Sequence, residues 1–414
     1  MRLDDHERAM LAGGFGEPRR IALEQQIMVG DFFDAPDFVE VSQVHLMADT
    51  ESLGEAGVGF LEKMAGYNEA ERRVAVPTVT DPRGIDLMAY KKLKQQESWA
   101  ALERRAIKAF ESMGILMTDT CINYQTILPP AFGEHVAFGD TGSTIYANSV
   151  LGARSNFEGG PAALTAALTG RVPRYKCHLD EGRRGTMRFL VKDRPKSLSD
   201  WGALGGVVGR KAGSYWAVPV LEGIDATPTS DEMKHFGAAL ASYGSVPLFH
   251  MIGATPEAHT LKDVFDGAPP EPVVLARKDI DDFYASFGRH DDKVDVVVFA
   301  APQMSLIEMQ QLADLAKGRT VHKDTALIIA TSPEIKSASD RMGFTKILED
   351  AGAMVLEGVC FYQMYARETG EANGWKKLMS NSAKLVNIIS GYGYEPVLAT
   401  MEQCIDAAVK GKMG

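Results

Sequence analysis

The chain has 414 residues, of which 45% are hydrophobic and 24% are charged, and its formal net charge is −11. This length predicts two or three domains with room for a hydrophobic core. The acidic balance disfavours nucleic acid or an anionic membrane surface as a partner, although a local group of basic side chains could still bind a small anion. There is no run of about 18 apolar residues and no apolar signal segment, and four cysteines are too few for a disulfide framework. We therefore expect a cytoplasmic protein without a membrane span.

The first part of the chain predicts both helices and strands. Apolar residues at helical spacing predict helices over 3–13, 16–33 and 97–114. Alternating or continuous apolar runs predict strands over 38–48, 72–80 and 115–120. Cys121 follows the last of these strands, at the point where the chain enters a loop.

From about Ser245 onwards, strands and helices alternate regularly. Apolar runs of strand length occur at 246–253, 294–302, 325–333 and 353–361, with helical stretches at 305–318 and 337–352. This alternation predicts an α/β fold with a parallel sheet. Ligands bind at the carboxyl ends of such strands, so one edge should carry Pro302–Ser305, Thr331–Pro333 and Cys360.

The segment YANSVLGARSNFEGGP, residues 146–161, predicts a polar loop with a tight backbone, of the kind that carries function. Its arginine could bind a carboxylate or phosphate with two parallel hydrogen bonds. A solvated surface loop is the alternative. The candidate side chains are Asn148, Ser149, Arg154, Asn156 and Glu158.

Two shorter segments also combine groups that suit binding. HLDEGRRGT places a histidine beside acids and arginines, and it equally fits a charged turn between strands. MSNSAKL suits anion binding near a helix start, or a simple N-cap. Their candidate side chains are His178, Arg183, Ser382 and Lys384.

The four cysteines are widely spaced, and no local Cys-x-x-Cys pair supports metal binding. Cys121 and Cys360 each end an apolar run, where they fit either small buried side chains or ligands. Cys177 lies in a basic segment and could be reactive, whereas Cys404 fits the core side of a C-terminal helix.

Taken in order, these segments resemble the catalytic large subunit of aconitase X. The resemblance also includes the opening LDDHERAMLAGGFGEPRRIAL, the turn Asp81–Asp86 and the closing CIDAAVKG, so it spans the whole chain. It implies an aconitase-like, multi-domain architecture with parallel or mixed sheets flanked by helices and an active site between domains. We expect an N-terminal catalytic region over 1–225 and a C-terminal α/β region over 226–414.

The resemblance implies a hydro-lyase acting on a small hydroxy acid, such as cis-3-hydroxy-L-proline or a phosphorylated mevalonate. It further implies an iron centre, mononuclear or iron–sulfur, with Cys121 and Cys360 as ligands and iron acting on the leaving hydroxyl. A separate small swivel-domain subunit would complete a heterodimer and supply a serine for proton transfer. The resemblance places the other candidates at the substrate, with Ser149, Ser382 and Lys384 as catalytic groups and Asn148, Arg154, Asn156, Glu158, His178, Arg183 and Ser305 as binding groups.

The sequence departs from the family pattern after the strand VDVVVF. The family has a Gly-Cys-Pro-His-like turn there, whereas this chain has Ala301 and Gln303 at the Cys and His positions. The iron could keep two cysteines and a nitrogen or oxygen ligand, or another metal could replace it. A metal-independent isomerase or epimerase and a non-catalytic binding subunit are further alternatives. Phe157 stands where an arginine is common, which argues against a doubly charged substrate.

Overall fold

The computed structural model describes residues 1–287 and 292–413, and it confirms the α/β class. The described residues form four sheets, three of them wholly parallel and one an antiparallel pair, with helices around them. The strands β1 to β14 are Phe38–Glu40, Val44–Leu46, Thr78–Thr80, Ala137–Phe138, Arg171–Pro173, Met187–Val191, Pro219–Glu222, His250–Met251, Val273–Leu275, Val296–Met304, Ala326–Thr331, Met354–Glu357, Lys377–Ser380 and Glu395–Leu398. The helices α1 to α18 are Asp5–Leu11, Glu17–Phe32, Thr50–Ala65, Glu69–Arg72, Glu97–Ser112, Asn123–Thr126, Thr141–Ser149, Pro161–Thr169, Leu198–Ala212, Ser230–Gly244, Leu261–Val264, Arg277–Ala285, Leu306–Ala316, Pro333–Met342, Phe344–Asp350, Ala366–Asn373, Ala383–Ile389 and Met401–Lys410.

The N-terminal part is built on a three-stranded parallel sheet in the order β3-β2-β4. Helices α3, α5 and α8 bury their apolar faces in one core with these strands. Strand β3 ends directly before Asp81 and β4 ends shortly before Asp140. The sheet therefore delivers two buried carboxyl groups to its carboxyl edge.

The C-terminal part is built on a five-stranded parallel sheet in the order β12-β11-β10-β13-β14. Its central strand β10 is buried along all nine residues, which explains the continuous apolar run VVVFAA. Helix α13 begins directly after β10, where the Ser305 side chain accepts a hydrogen bond from the Glu308 backbone in a capping box.

A four-stranded parallel sheet, β8-β7-β6-β9, lies between these parts in sequence. Its strands come from both sides of residue 225, the expected division of the chain, and that division stays a prediction. Helices α9 and α10 pack against each other and fill one core with Trp201, Phe236 and Phe249.

The carboxyl ends of the N-terminal and C-terminal sheets meet. Arg83, two residues beyond Asp81, forms a parallel bridge with Val359 and donates its backbone N–H to Gly358 at 2.8 Å. The Gln363 side chain donates to Asp81 Oδ2 at 3.0 Å. Loops from the two sheets therefore share one buried junction.

Several expected elements differ in the structure. The 38–48 run is two short strands, β1 and β2, and residues 115–120 form no strand but a single bridge, from Leu116 to Val79. The 246–253 run is reduced to β8, which joins the four-stranded sheet and not the C-terminal one. The helix expected over 337–352 is broken at Gly343, whose φ of 79° is left-handed. Residues 146–149 are not loop, because they complete α7.

Candidate active site at the junction of two parallel sheets

The structure brings Cys121 and Cys360 together at the junction. Cys121 follows the extended segment beside β3, and Cys360 follows β12. The hydrogen bond between the two thiols, together with burial, raises the pKa of Cys121 well above its ordinary value. Cys177 lies instead in a small apolar cluster and Cys404 in the core under α18.

Gln303 lies next to this thiol pair. Its backbone N–H lies 3.4 Å from Cys121 Sγ, and its side-chain Oε1 accepts from the Cys121 N–H at 3.2 Å. Its side-chain Nε2 donates to the backbone oxygens of Asp119, Thr331 and Val359 at 3.1, 3.3 and 3.2 Å. The amide is fully buried and its hydrogen-bonding groups are engaged.

The donor set at the thiol pair does not fit the expected iron centre. Zinc sites have three or four protein ligands and iron–sulfur clusters are held mainly by Cys thiolates, so the iron centre that the resemblance implies needs a third ligand beside the two cysteines. Ala301 has only a methyl group there, and Gln303 uses its oxygen and its nitrogen for backbone hydrogen bonds. Within 1–287 and 292–413, no three His, Cys, Asp or Glu side chains are grouped so as to hold a metal ion.

A buried ion pair lies beside the thiols. Lys384 Nζ is 3.1 Å from Asp140 Oδ1, and both side chains are almost completely buried. Burial alone would lower the pKa of Lys384, but the Asp140 carboxylate and the nearby thiols raise it. Burial opposes the ionisation of Asp140 too, and Lys384 still lowers its pKa. The Lys384–Asp140 pair is therefore charged.

Ser382 sits next to this pair at the carboxyl end of β13. Its hydroxyl donates to the Ala301 backbone oxygen at 2.5 Å and accepts from the Leu385 N–H at 3.1 Å. The structure thus brings Ser382 and Lys384 to the thiol pair, as expected. The serine hydroxyl, however, also serves as the N-cap of α17.

Two side chains at the junction, Asp81 and Asn123, escaped the sequence interpretation, although Asp81 stood in a turn that it quoted; Asn381 belongs to the MSNSAKL segment that was expected to suit anion binding. Asp81 is fully buried. Its Oδ1 lies 3.6 Å from His45 Nε2 and has no hydrogen-bond partner among the described residues. Burial and the Asp140 charge raise the pKa of Asp81 well above its ordinary value. Both amide atoms of Asn381 and of Asn123 are buried and lack described partners. Unpaired buried polar atoms are costly, and they are where a bound ligand or water is expected.

The loop candidates Asn148, Ser149 and Asn156 bind the protein's own backbone. Asn148 bonds Ser155 through both amide atoms, each at 2.8 Å, and the Ser149 hydroxyl accepts from the Phe249 N–H at 2.9 Å. Asn156 donates to the Tyr175 backbone oxygen at 3.1 Å. These contacts give the three side chains a structural role, because the groups that would bind a substrate are already used.

Arg154, His178 and Arg183 also find partners outside the junction. Arg154 pairs with Asp180 and Arg183 pairs with Glu257. The His178 ring is stacked on the His135 ring, with their Nδ1 atoms 2.8 Å apart. Burial lowers the pKa of His178 well below its ordinary value. These arrangements fit a buried, neutral ring and two guanidinium groups that are each paired with a carboxylate.

Glu158 stands apart from the other loop candidates. It is buried, its Oε1 has no partner among the described residues, and burial raises its pKa to about 7.

Ser305 belongs to a buried charged network behind Gln303. Its hydroxyl donates to Asp231 Oδ2 at 2.7 Å, while Lys234 Nζ donates to the Gln303 backbone oxygen at 3.2 Å and pairs with Glu308. The His235 ring bonds the other Glu308 oxygen at 2.7 Å. Sequence patterns gave no sign of this network, because its members come from two helices that are more than 60 residues apart.

Comparison with known proteins identifies the family of the chain. Three family models match in series: the aconitase X first domain over 1–181, the second over 185–285 and the third over 294–410. The chain is 34% identical to the phosphomevalonate dehydratase large subunit of Methanothermobacter thermautotrophicus over 94% of both chains. It is 31% identical to the cis-3-hydroxy-L-proline dehydratase of Pseudomonas aeruginosa over 99% of this chain and 70% of that one.

The fold agrees with a solved structure of the same family. The crystal structure of Thermococcus kodakaraensis aconitase X in its holo form superposes with a TM-score of 0.87 at 28% identity, covering 99% of this chain and 100% of that one. Across the ranges that the structure describes, no helix has the length and apolarity needed to cross a membrane. The curated relatives are dehydratases, which remove water from their substrates. The chain therefore belongs to the aconitase X family and is an enzyme of the hydro-lyase class.

Proposed function

We propose that the chain removes water from a small hydroxy acid of low charge, such as cis-3-hydroxy-L-proline, at the junction of the two parallel sheets. The observation that carries this proposal is the set of buried polar groups around the Lys384–Asp140 pair, where Asp81 and Asn381 have oxygen or nitrogen atoms without described partners. A hydroxy acid can supply the missing hydrogen bonds. The family membership supplies the reaction class.

The charges at the junction favour a substrate with a single carboxylate. Lys384 is paired with Asp140, and Arg83 Nε lies 3.0 Å from Asp119 Oδ2. Each of these cations is already balanced by a carboxylate, so a phosphate group would meet no unpaired positive charge from them. Phe157, where the family commonly has an arginine, agrees with this preference.

Elimination requires a proton for the departing hydroxyl and a base for the proton next to the substrate carboxylate. Because the donor set does not fit iron, we assign the first role to Asp81, whose carboxyl group is buried beside the pair. Lys384 Nζ has three N–H donors and gives one to Asp140, so another can donate to the substrate carboxylate while the ion pair stays balanced. The C–O bond breaks with both of its electrons going to the oxygen, the oxygen takes the proton of Asp81, and water leaves.

The base is assigned to a second chain. Relatives such as that of Methanocaldococcus jannaschii are named large subunits, which implies a small-subunit partner for them. We propose that a small swivel-domain subunit likewise completes this site and supplies the serine that takes the proton. The active unit would then be a heterodimer.

The test is dehydration by the purified heterodimer, followed by NMR, with cis-3-hydroxy-L-proline and its 3-hydroxyproline isomers as substrates. Asp81→Asn should lower kcat by about 10²–10⁴-fold. Asp295→Asn is the matched control, because Asp295 is also buried but its Oδ2 accepts from the backbone N–H groups of Lys376 and Lys377 outside the site. Dehydration of none of these compounds, or full activity of Asp81→Asn, would refute the proposal. Interconversion without loss of water would indicate an isomerase or epimerase.

A phosphorylated hydroxy acid is the second candidate substrate. It is favoured by the archaeal relatives at 31% and 34% identity, which are named phosphomevalonate dehydratase large subunits. Assaying (R)-5-phosphomevalonate beside the hydroxyprolines decides between the two, since the enzyme should give the higher kcat/KM with its own substrate. A preference for the phosphorylated compound would contradict the argument from charge balance.

A further inference from the structure

One side chain joins the segments that carry the two site cysteines. Gln303, near the end of β10, binds the Cys121 N–H and the backbone oxygens of Asp119, Thr331 and Val359. Thr331 ends β11, and Val359 directly precedes Cys360. A single amide therefore links three separate loops to the central strand of the C-terminal sheet.

The backbone around Gln303 is fixed from both sides. The Ala301 oxygen accepts from the Ser382 hydroxyl at 2.5 Å, and the Gln303 oxygen accepts from Lys234 Nζ at 3.2 Å. Lys234 is itself paired with Glu308, and both side chains are fully buried. These contacts determine the position of the strand end, so the amide has little freedom to turn away and admit a ligand.

A bound metal links the chain segments that carry the metal's ligands, and the Gln303 amide links the same segments here by hydrogen bonds. A metal bound by Cys121, Cys360 and a third residue on β10 would connect the same segments. The side chains available on β10 are a methyl group at Ala301 and the engaged amide at Gln303. The Thr331 oxygen also accepts from the Gly358 N–H at 2.9 Å. The Cys121 N–H and the Asp119 and Val359 oxygens have no other partner among the described residues, and backbone groups left unpaired at this depth would each be destabilising.

We propose that the Gln303 amide replaces the iron centre as the cross-link of the active site, so that this chain holds no metal at Cys121 and Cys360. The two cysteines then remain as a buried thiol pair. The inference deepens the proposed function, since it describes a hydro-lyase that works through acid–base groups alone, and it rests on that proposal only for the reaction and not for the metal content.

The first experiment is to purify the full chain with its small subunit without oxygen and to measure iron, other transition metals and acid-labile sulfide per chain, with absorption and EPR spectra. We expect no stoichiometric metal, no sulfide and no cluster spectrum, and an unfolding midpoint that a chelator leaves unchanged. One or more iron atoms per chain that disappear in Cys121→Ala and Cys360→Ala would overturn the inference.

The second experiment tests the cross-link by stability, which does not depend on activity. Gln303→Ala should lower the midpoint of thermal unfolding by about 4 °C or more relative to Gln26→Ala. Gln26 is a matched control, because its buried amide binds the Arg171 oxygen and the Thr169 hydroxyl outside the site. Equal losses would refute the cross-link. If Gln303→Ala does not fold while Gln26→Ala does, the cross-link is supported and the wild-type metal content still decides the rest.

A failure of the proposed function is recognised separately. A metal-free heterodimer that dehydrates none of the tested acids would remove the proposed reaction and leave the metal inference standing. An iron-containing heterodimer that dehydrates a hydroxyproline would remove the metal inference and leave the proposed reaction standing.

Discussion

The pH dependence of folding provides a sharp test of the placement of Glu158. This side chain is 4% exposed, and its Oε1 has no partner among the described residues. Burial raises its pKa from an ordinary 4.5 to about 7. The folded chain therefore holds the Glu158 proton over a pH range in which the unfolded chain has already released it.

The sign and size of the effect follow from linkage. A raised pKa in the folded state contributes stability that is fully present below pH 4.5 and is lost as the pH rises through 7. The difference between these two values, at 1.36 kcal/mol for each pKa unit, corresponds to about 3 kcal/mol. Gln at the same position has no proton to release, so Glu158→Gln should lack this loss.

The assay is urea unfolding of the wild type and Glu158→Gln between pH 4.5 and 8. The free energy of unfolding of the wild type should fall relative to that of the variant by about 3 kcal/mol across this range. Glu181→Gln, at an exposed position, is the control for removing one carboxylate. Parallel curves for the wild type and Glu158→Gln would refute the buried, unpaired position of the carboxyl group.

Three further predictions concern the other buried charges and a helix cap. Lys384→Met should destabilise the chain by about 3–5 kcal/mol, because Asp140 is left buried and unpaired, and adding Asp140→Asn should recover part of this loss in urea unfolding. Burial opposes the ionisation of Glu308, but Lys234 and His235 lower its pKa to about 2. The stability that this carboxylate contributes is therefore present above pH 4.5 and is lost as the pH falls through 2. In acid unfolding, Glu308→Gln should lack this loss of about 3 kcal/mol. Ser305→Ala should lower the free energy of unfolding in urea by about 1 kcal/mol, because the α13 cap is lost. An unchanged free energy of unfolding would argue against that cap.

The sequence predicted the parts of the site that follow from strand direction. Parallel strands bring their carboxyl ends to one edge, so the apolar runs before Cys360 and before Gln303 were enough to place these residues close together. Cys121 was singled out at the end of an apolar run and Lys384 in the MSNSAKL segment. Only the resemblance assigned both to one site, and the structure puts them at the same junction. In the four-stranded sheet only the run that contains β8 was recognised; β6, β7 and β9 have three to five residues, which carry too little periodicity.

Polar residues were harder to interpret than apolar ones, because their roles depend on partners that lie far away in sequence. Asn148 also donates to the Pro247 oxygen, 99 positions away, and Arg183 binds Glu257, 74 positions away. Without those partners, a segment rich in Asn, Ser and Arg cannot be distinguished from a binding loop. The missed Asp81 illustrates the converse, since a single carboxyl group after a short strand gives no pattern.

The two departures from the family pattern are best understood together. Ala301 removes a ligand, and without the amide at position 303 the Asp119 and Val359 carbonyl oxygens would have no partner among the described residues, as expected for a decaying site. Gln303 supplies those partners, so the junction keeps its geometry. Among the described residues, the polar atoms that remain unpaired at the junction include those of Asp81, Asn123 and Asn381. A site that has satisfied its structural groups and left these side chains without described partners is arranged to bind a substrate, which agrees with the hydro-lyase class of its relatives.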